Sequence, residues 1–250
     1  MRHARPVDVL RALHHDRAPG DPLVLPGPWD AASARVFEEA GFPALATPSA
    51  GVAASLGYED GRTPADEMFA AVTRIVRSVS VPVSADIEGG YGIAPRELVE
   101  RLLETGAVGC NLEDSASDTE PGAGPGKALK DPREQAAWLA EVRAAAGDRI
   151  VLNARIDTFM RGVDDPVGET IERARWYVAA GADCVYPIGA PVEALPLLRA
   201  GIEGPVNVGA PPGGPSLREW GESGATRITF GPGLQRRAAA ALREIAENLG

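Results

Sequence analysis

Asp86 and Glu88 stand two apart at the end of a short apolar run, VPVSADIEGGYG, while Glu113-Asp114 and Arg155-Ile156-Asp157 end two others, VGCNLED and IVLNARID. On an extended strand end, residues two apart point to the same side, so Asp86 and Glu88 are expected to share one face. Carboxylates gathered in one place repel one another and need a cation or protons to be tolerated. A Mg2+ ion takes one or two carboxylates and fills its other positions with water and substrate oxygens, which makes it the economical answer, with Mn2+ as the alternative. Burial of Asp86, Glu88 and Glu113 without such a partner would be costly, and this favours a functional reading of all three. Asp114, Asp118 and Asp157 read equally well as acids of the site or as helix caps and partners of surface arginines. Arg155 keeps its proton at any working pH and offers a planar donor to an anion. In an empty site it needs a negative partner, which Glu113 or Asp157 could provide. Tyr91, in the GGYG turn, either donates to a substrate or packs under the loop.

What is scarce narrows the chemistry further. All three histidines (His3, His14, His15) precede the first strand candidate, which argues against a histidine zinc site or a Ser-His-Asp triad. The only lysines, Lys127 and Lys130, share one Gly/Pro-rich loop, a poor setting for a Schiff-base lysine. A net charge of −10 excludes an electrostatic footprint for nucleic acid or an anionic membrane. No apolar run approaches the ~20 residues of a membrane span and no signal-peptide core is present, so a cytoplasmic protein is expected. Cys110 and Cys184 lie inside apolar runs and read as small buried hydrophobes.

The elements that must position these groups alternate along the chain. Strand candidates begin at Leu23, Ala44, Val83, Val108, Ile150, Asp183, Pro205 and Arg227, and their near-continuous apolar character suits a parallel sheet buried on both faces. Helix patterns run over 31–40, 64–78, 95–105, 132–145, 167–179, 193–199, 216–222 and 234–249. Gly41, Gly106, Gly181 and Gly224 each close a helix just before a strand. Thr63-Pro64 and Asp131-Pro132 suit helix starts. Strand–helix alternation of this kind favours an α/β fold, a (β/α)8 TIM barrel in a single domain over 1–250. The turn after the first strand, PGPWD, is no dinucleotide fingerprint. VDVLRALHH reads as an extra N-terminal helix covering the barrel bottom. In such a barrel the acidic groups would all lie at the C-terminal, active face.

ADIEGGYG, GCNLEDS and LNARID, following LPGPWDAASARVFEEAGFPALATPSAGVAASLGYEDG, resemble the isocitrate lyase/phosphoenolpyruvate mutase superfamily from about Leu10 to Gly231. The resemblance implies a Mg2+-binding barrel that forms or stabilises an enolate of a 2-oxo or 2-hydroxy acid. It implies metal binding by Asp86 and Glu88, and an outer acid, Asp60, reaching the metal through water. Glu113 falls on the acid of the fourth strand near the metal's waters, and Arg155 on the arginine that grips the substrate. Ser49, Ala50 and Gly51 form the turn implied to hold the oxo-acid carboxylate, and Asn207 and Trp29 are counted with the substrate-binding residues. Arg155, Glu113 and Tyr91 are the catalytic candidates. Superfamily members also exchange a C-terminal helix between subunits, so the last helix implies a homodimer or homotetramer.

One segment departs from the pattern. After Glu113-Asp114 the lyases carry a Lys-Lys/Arg-Cys-Gly-His loop and the mutases a lysine followed by Lys-x-Asn/Thr-Ser. Here the chain reads SASDTEPGAGPGKALKDPREQ, which lacks both and is not a phosphate loop. A lid over the site is expected between Ser115 and Lys130, with a plain loop as the other reading. The function expected is a Mg2+-dependent lyase acting on a small 2-oxo or 2-hydroxy (di)carboxylic acid by C–C cleavage or decarboxylation. The alternatives are phosphoenolpyruvate mutase or phosphonopyruvate hydrolase chemistry, and an oxo-acid-binding barrel with little catalysis.

Overall fold

The computed structural model describes residues 4–15, 17–18, 20–116 and 128–249. Asp118, Lys127 and most of the expected lid lie outside these residues. The strands are β1 (Leu23–Val24), β2 (Leu45–Ala46), β3 (Val83–Asp86), β4 (Gly109–Glu113), β5 (Val151–Ile156), β6 (Cys184–Pro187), β7 (Asn207–Gly209) and β8 (Arg227–Thr229). The helices are α1 (Pro6–His14), α2 (Ala31–Glu39), α3 (Ser49–Leu56), α4 (Ala65–Val76), α5 (Pro95–Glu104), α6 (Pro132–Ala146), α7 (Thr158–Arg161), α8 (Pro166–Ala179), α9 (Leu195–Gly201), α10 (Leu217–Glu222) and α11 (Gly233–Glu247).

Every strand pairing is parallel, in the order β2-β3-β4-β5-β6 in one sheet and β1-β8-β7 in the other. The two sheets curl toward each other, but the ladder does not close into an unbroken barrel. A single bridge, Val185–Val206, joins β6 to the chain before β7, and the amide of Ala46 donates to the carbonyl of Pro26 (3.1 Å) where β1 meets β2. The cause is local: Pro26 and Pro205 sit at these seams and have no N–H to give a ladder. Strand order and direction therefore follow the expectation for a (β/α)8 fold, whereas continuous closure does not.

Helix ends follow the chemistry of their residues. Gly41, Gly106, Gly181 and Gly224 all have positive φ, as the stop positions require. The Asp131 carboxylate accepts from the amides of Arg133 and Glu134 and caps α6. Thr63 is no cap: α4 starts at Ala65, and the Thr63 hydroxyl is buried without a hydrogen-bond partner. Around the sheet, Val72, Ile75, Leu98, Leu102, Leu139 and Leu198 are buried against the strands.

At the N-terminal end of the strands, α1 closes the fold as expected. Leu10 is fully buried, and a Cβ on Gly109 would come within 2.9 Å of its Cδ2, so β4 needs glycine there. Above Leu10 the interior turns polar. Arg227 is fully buried, with Nη1 3.2 Å from His14 Nε2 and Nη2 donating to Asn111 Oδ1 at 3.4 Å. Cys110 and Cys184 are free and buried. Among the described residues, no helix is long and apolar enough to cross a membrane.

Candidate active site

The acids converge at the C-terminal ends of β3, β4 and β5. Asp86, the last residue of β3, takes both the hydroxyl (2.8 Å) and the amide (3.2 Å) of Ser49 on Oδ2. Its own amide donates to Thr47 Oγ1 at 3.1 Å. Ser49 does not sit in a turn: Ser49, Ala50 and Gly51 form the first turn of α3. The Ser49 hydroxyl is committed to fixing Asp86. Pro48, the N-cap, gives no side-chain hydrogen bond, so the early amides of α3 are left for other acceptors.

Glu88 reaches the site by a different route from the one expected. β3 ends at Asp86, and Glu88 occupies the left-handed region with φ of 53°. Strand alternation therefore cannot align the two acids. A turn does so, with the Glu88 amide 3.4 Å from Asp86 Oδ1. Left-handed backbone is uncommon for a residue with a side chain and tends to mark functional sites. Tyr91, in the same turn, also has positive φ, at 57°.

The turn presses these carboxyl groups into a poorly hydrated space. Burial, then the neighbouring Asp86 and Asp60 carboxylates, pushes Glu88 up to about 7. Its Oε1 is buried without a hydrogen-bond partner, as is the Tyr91 hydroxyl. Burial and then Glu88 and Asp86 hold the Tyr91 phenol well above its ordinary value, so it stays protonated. Asp60, more exposed at the rim after α3, is also raised, by desolvation and by Asp86.

Glu113 ends β4, and its amide donates to the Glu88 carbonyl at 3.0 Å. Its Oε2 lies 2.7 Å from Nη1 of Arg155, while Arg155 Nε and Nη2 hold the two oxygens of Asp157 at 2.7 and 2.9 Å. Both partners anticipated for Arg155 are thus engaged at once. Burial pushes Glu113 up against the pull of Arg155, and Asp157, Asp86 and Glu88 add to the rise. Burial alone would lower Arg155, but Glu113, Asp157 and Asp86 outweigh it and keep the guanidinium charged.

Other candidates fall elsewhere. Asp114 is fully buried and accepts from Arg173 (3.1 Å), Tyr177 (2.8 Å) and the Asp157 amide (2.9 Å), a structural role. Asn207 opens β7 rather than ending it, is fully buried, and exchanges long hydrogen bonds with Thr229. Trp29 is half-buried and packs edge-on to Phe37, with its Cβ 3.6 Å from where a Cβ on Gly51 would lie.

Among the described residues, no group of three or more His, Cys, Asp or Glu side chains is placed to hold a metal ion. The donor set present is a smaller one: Asp86 beside Glu88, the latter with an unpartnered buried oxygen. Two carboxylates completed by water suit a hard cation such as Mg2+, and a buried carboxyl oxygen lacking any donor has room for one. The residues fit such an ion.

A family model described as phosphoenolpyruvate phosphomutase matches residues 10–250. The chain belongs to the phosphoenolpyruvate mutase/isocitrate lyase superfamily. Within this superfamily the chain is similar to a candidate phosphonomutase from Burkholderia cenocepacia J2315, with 37% identity, a TM-score of 0.87 and 98% of each chain covered. It is 33% identical over 220 residues to an uncharacterised protein of Mycobacterium tuberculosis, covering 88% of this chain and 80% of the other. It is also similar to 2,3-dimethylmalate lyase, with 30% identity, a TM-score of 0.83, and 99% and 85% of the two chains covered. A phosphonopyruvate hydrolase solved with oxalate and Mg2+ shares the fold at 22% identity, with a TM-score of 0.84.

The roles of Ser115 and Arg236 escaped the sequence reading. Ser115 donates to Asp157 and receives both Nε (2.9 Å) and Nη2 (2.7 Å) of Arg161, so α7 braces the acid that braces Arg155. Arg236, on α11, lies near enough to Asp60 to act on its charge. Only the position of Arg236, soon after the eighth strand, could have marked it.

Proposed function

We propose that this superfamily member is a Mg2+-dependent lyase-type enzyme acting on a small 2-oxo or 2-hydroxy (di)carboxylic acid through an enolate, by C–C cleavage or decarboxylation. The observation that carries the reading is the pairing of an unneutralised Glu88–Asp86 carboxylate couple with a charged, doubly anchored Arg155. Asp86 and Glu88 would hold the ion, with Asp60 acting from the rim through water. A bound Mg2+, or Mn2+, supplies Lewis-acid polarisation of the substrate's 2-oxygen. The amides of Ala50 and Gly51 suit a substrate carboxylate, since a helix N-terminus attracts anions. Arg155 exchanges part of its grip on Glu113 for the oxygen that gains charge. Glu113, raised by burial, takes or holds a proton beside it, and Tyr91 keeps a proton to donate. Trp29, whose Cβ lies beside Gly51, completes the proposed lining of the pocket, while Asn207 is engaged by Thr229.

The wider architecture we propose is one (β/α)8 domain over 1–250, with its sheet interrupted at the two proline seams, working in the cytoplasm. Leu242, Ile245 and Leu249, exposed on or just after α11, suit a helix exchanged in a homodimer or homotetramer. Sedimentation showing only the 26.1 kDa species at micromolar concentration would contradict this.

The second reading, P–C bond chemistry, is favoured by the family model's description and by the Burkholderia relative. A panel of oxaloacetate, methylisocitrate, 2,3-dimethylmalate and phosphonopyruvate with Mg2+ separates the two. Turnover of a dicarboxylate is expected. Turnover of phosphonopyruvate alone supports the second reading, and binding without turnover of any supports an oxo-acid-binding barrel.

A further inference from the structure

Lys130 lies far from the strand-end motifs in function but not in space. The chain leaving β4 and the chain entering α6 zip together over the end of the sheet. Ser115 bridges Leu129 antiparallel, the Ala116 amide donates to the Ala128 carbonyl (3.0 Å), and the Lys130 amide donates to the Asp114 carbonyl (2.9 Å). Arg173, itself buried and ion-paired with Asp114, donates from Nη1 to the Lys130 carbonyl at 2.9 Å. A rigid ionic strut therefore sets the backbone of Lys130 one register step from Glu113.

From that anchor the side chain reaches back over the turn that follows β3. Its Nζ lies 5.9 Å from the centroid of the Trp138 ring, within reach of a cation–π contact. The same Nζ is 3.5 Å from the point where a Cβ on Gly89 would lie, with the Glu113 carbonyl 3.9 Å from that point. The ammonium thus rests against the turn that carries Glu88. Trp138 packs so close to this turn that a Cβ on Gly90 would come within 2.9 Å of it.

We propose that Lys130 is a specificity-determining residue that receives the distal carboxylate of a dicarboxylate substrate. This rests on the reading that the site takes a 2-oxo or 2-hydroxy acid. Arg155 serves the end of the substrate where charge develops. A second carboxylate brings a second negative charge into a site already holding Asp60, Asp86, Glu88 and Glu113, and it needs a second cation. An ammonium on a flexible four-carbon stem follows a carboxylate whose position varies with substrate length, which a planar guanidinium does less readily. The substrate class selected is a 2-oxo or 2-hydroxy diacid over the matching monoacid.

The test compares malate with lactate, which differ by the distal carboxylate, in calorimetric titrations with Mg2+ present. The wild-type protein is expected to bind malate at least about tenfold more tightly than lactate, the usual scale for one desolvated charge pair. Lys130→Met should erase that preference while leaving lactate within about twofold, and Lys130→Arg should retain part of it. Oxalate binding within about twofold of wild type verifies that the Met variant keeps its site. If Lys130→Met keeps the malate preference, or weakens malate and lactate alike, Lys130 does not read the distal carboxylate. If neither acid binds the wild-type protein, the oxo-acid reading falls first, and this inference with it.

Discussion

Glu113 Oε2 and Arg155 Nη1 are 2.7 Å apart across the ends of two adjacent strands, in a pocket where both side chains are largely removed from water. The pair is held in register, since Glu113 and Arg155 are partners in the β4–β5 ladder. Such a pair can open toward a substrate anion without moving the backbone, which makes it a preorganised electrostatic element.

Arg155→Lys keeps the charge and loses the fork, and Arg155→Ala loses both. Oxalate, a flat enolate mimic, should therefore bind more weakly in the order wild type, Lys, Ala, with a loss to Ala of at least ~2 kcal/mol. Mg2+ affinity without oxalate should change much less. The Ala variant should also lose stability, by roughly 3 kcal/mol, because Asp157, 1% exposed, is left buried without its cation. Unaltered oxalate affinity in the Ala variant would make Arg155 a structural ion-pair residue.

Tyr91 can be separated from its packing role by removing one atom. Its hydroxyl is buried and unpartnered, so Tyr91→Phe removes an unsatisfied polar group and should leave the melting temperature unchanged or slightly higher. Turnover of the substrate found in the panel should fall by ~100-fold if the phenol donates a proton. A Phe variant that turns over at the wild-type rate would reduce Tyr91 to a packing residue against Phe69, 6.2 Å away between ring centroids.

The polar floor beneath the site makes a prediction about acid stability. His14 Nδ1 is 2.7 Å from the Leu10 carbonyl, and Nε2 faces Arg227, so the folded state holds a neutral imidazole. Burial, then the Arg227 charge, lowers its pKa from 6.5 to about 3. Between those values the unfolded chain binds the proton and the folded one refuses it. This stability is fully present above pH 6.5 and is lost as the pH falls toward 3, by up to ~1.4 kcal/mol per pH unit. Urea midpoints of wild type and His14→Gln between pH 4 and pH 7 should converge on acidification, because glutamine does not titrate. Parallel curves would show that His14 takes no part.

Much of this was legible in the chain, for identifiable reasons. Strands β3 to β6 are runs of buried apolar residues bounded by polar ends, and their helices close on glycines whose positive φ needs the missing Cβ. Arg155 was readable too, since a strand-end arginine among acids has few alternatives to pairing with them. The left-handed turn at Glu88 was not legible, because an isolated Asp-x-Glu reads as extended strand. Nor was the helical start at Ser49, where a proline N-cap followed by small residues looks like a loop. The Asp114–Arg173–Tyr177 strut joins residues 59 and 63 positions apart, a contact that no local pattern announces. The incomplete seams depend on two prolines whose strand neighbours only the fold reveals.

Asp86 and Glu88 are expected to hold a metal that the oxo acid then shares. Oxalate should be titrated calorimetrically into wild type and Asp86→Ala, each with Mg2+ and with EDTA. Wild type should bind oxalate at least about tenfold more tightly with Mg2+, and Asp86→Ala should lose that gain while its thermal unfolding stays cooperative. Oxalate binding that is equally tight in EDTA, or a Mg2+ gain that survives in Asp86→Ala, would contradict the metal site and the enzyme built on it.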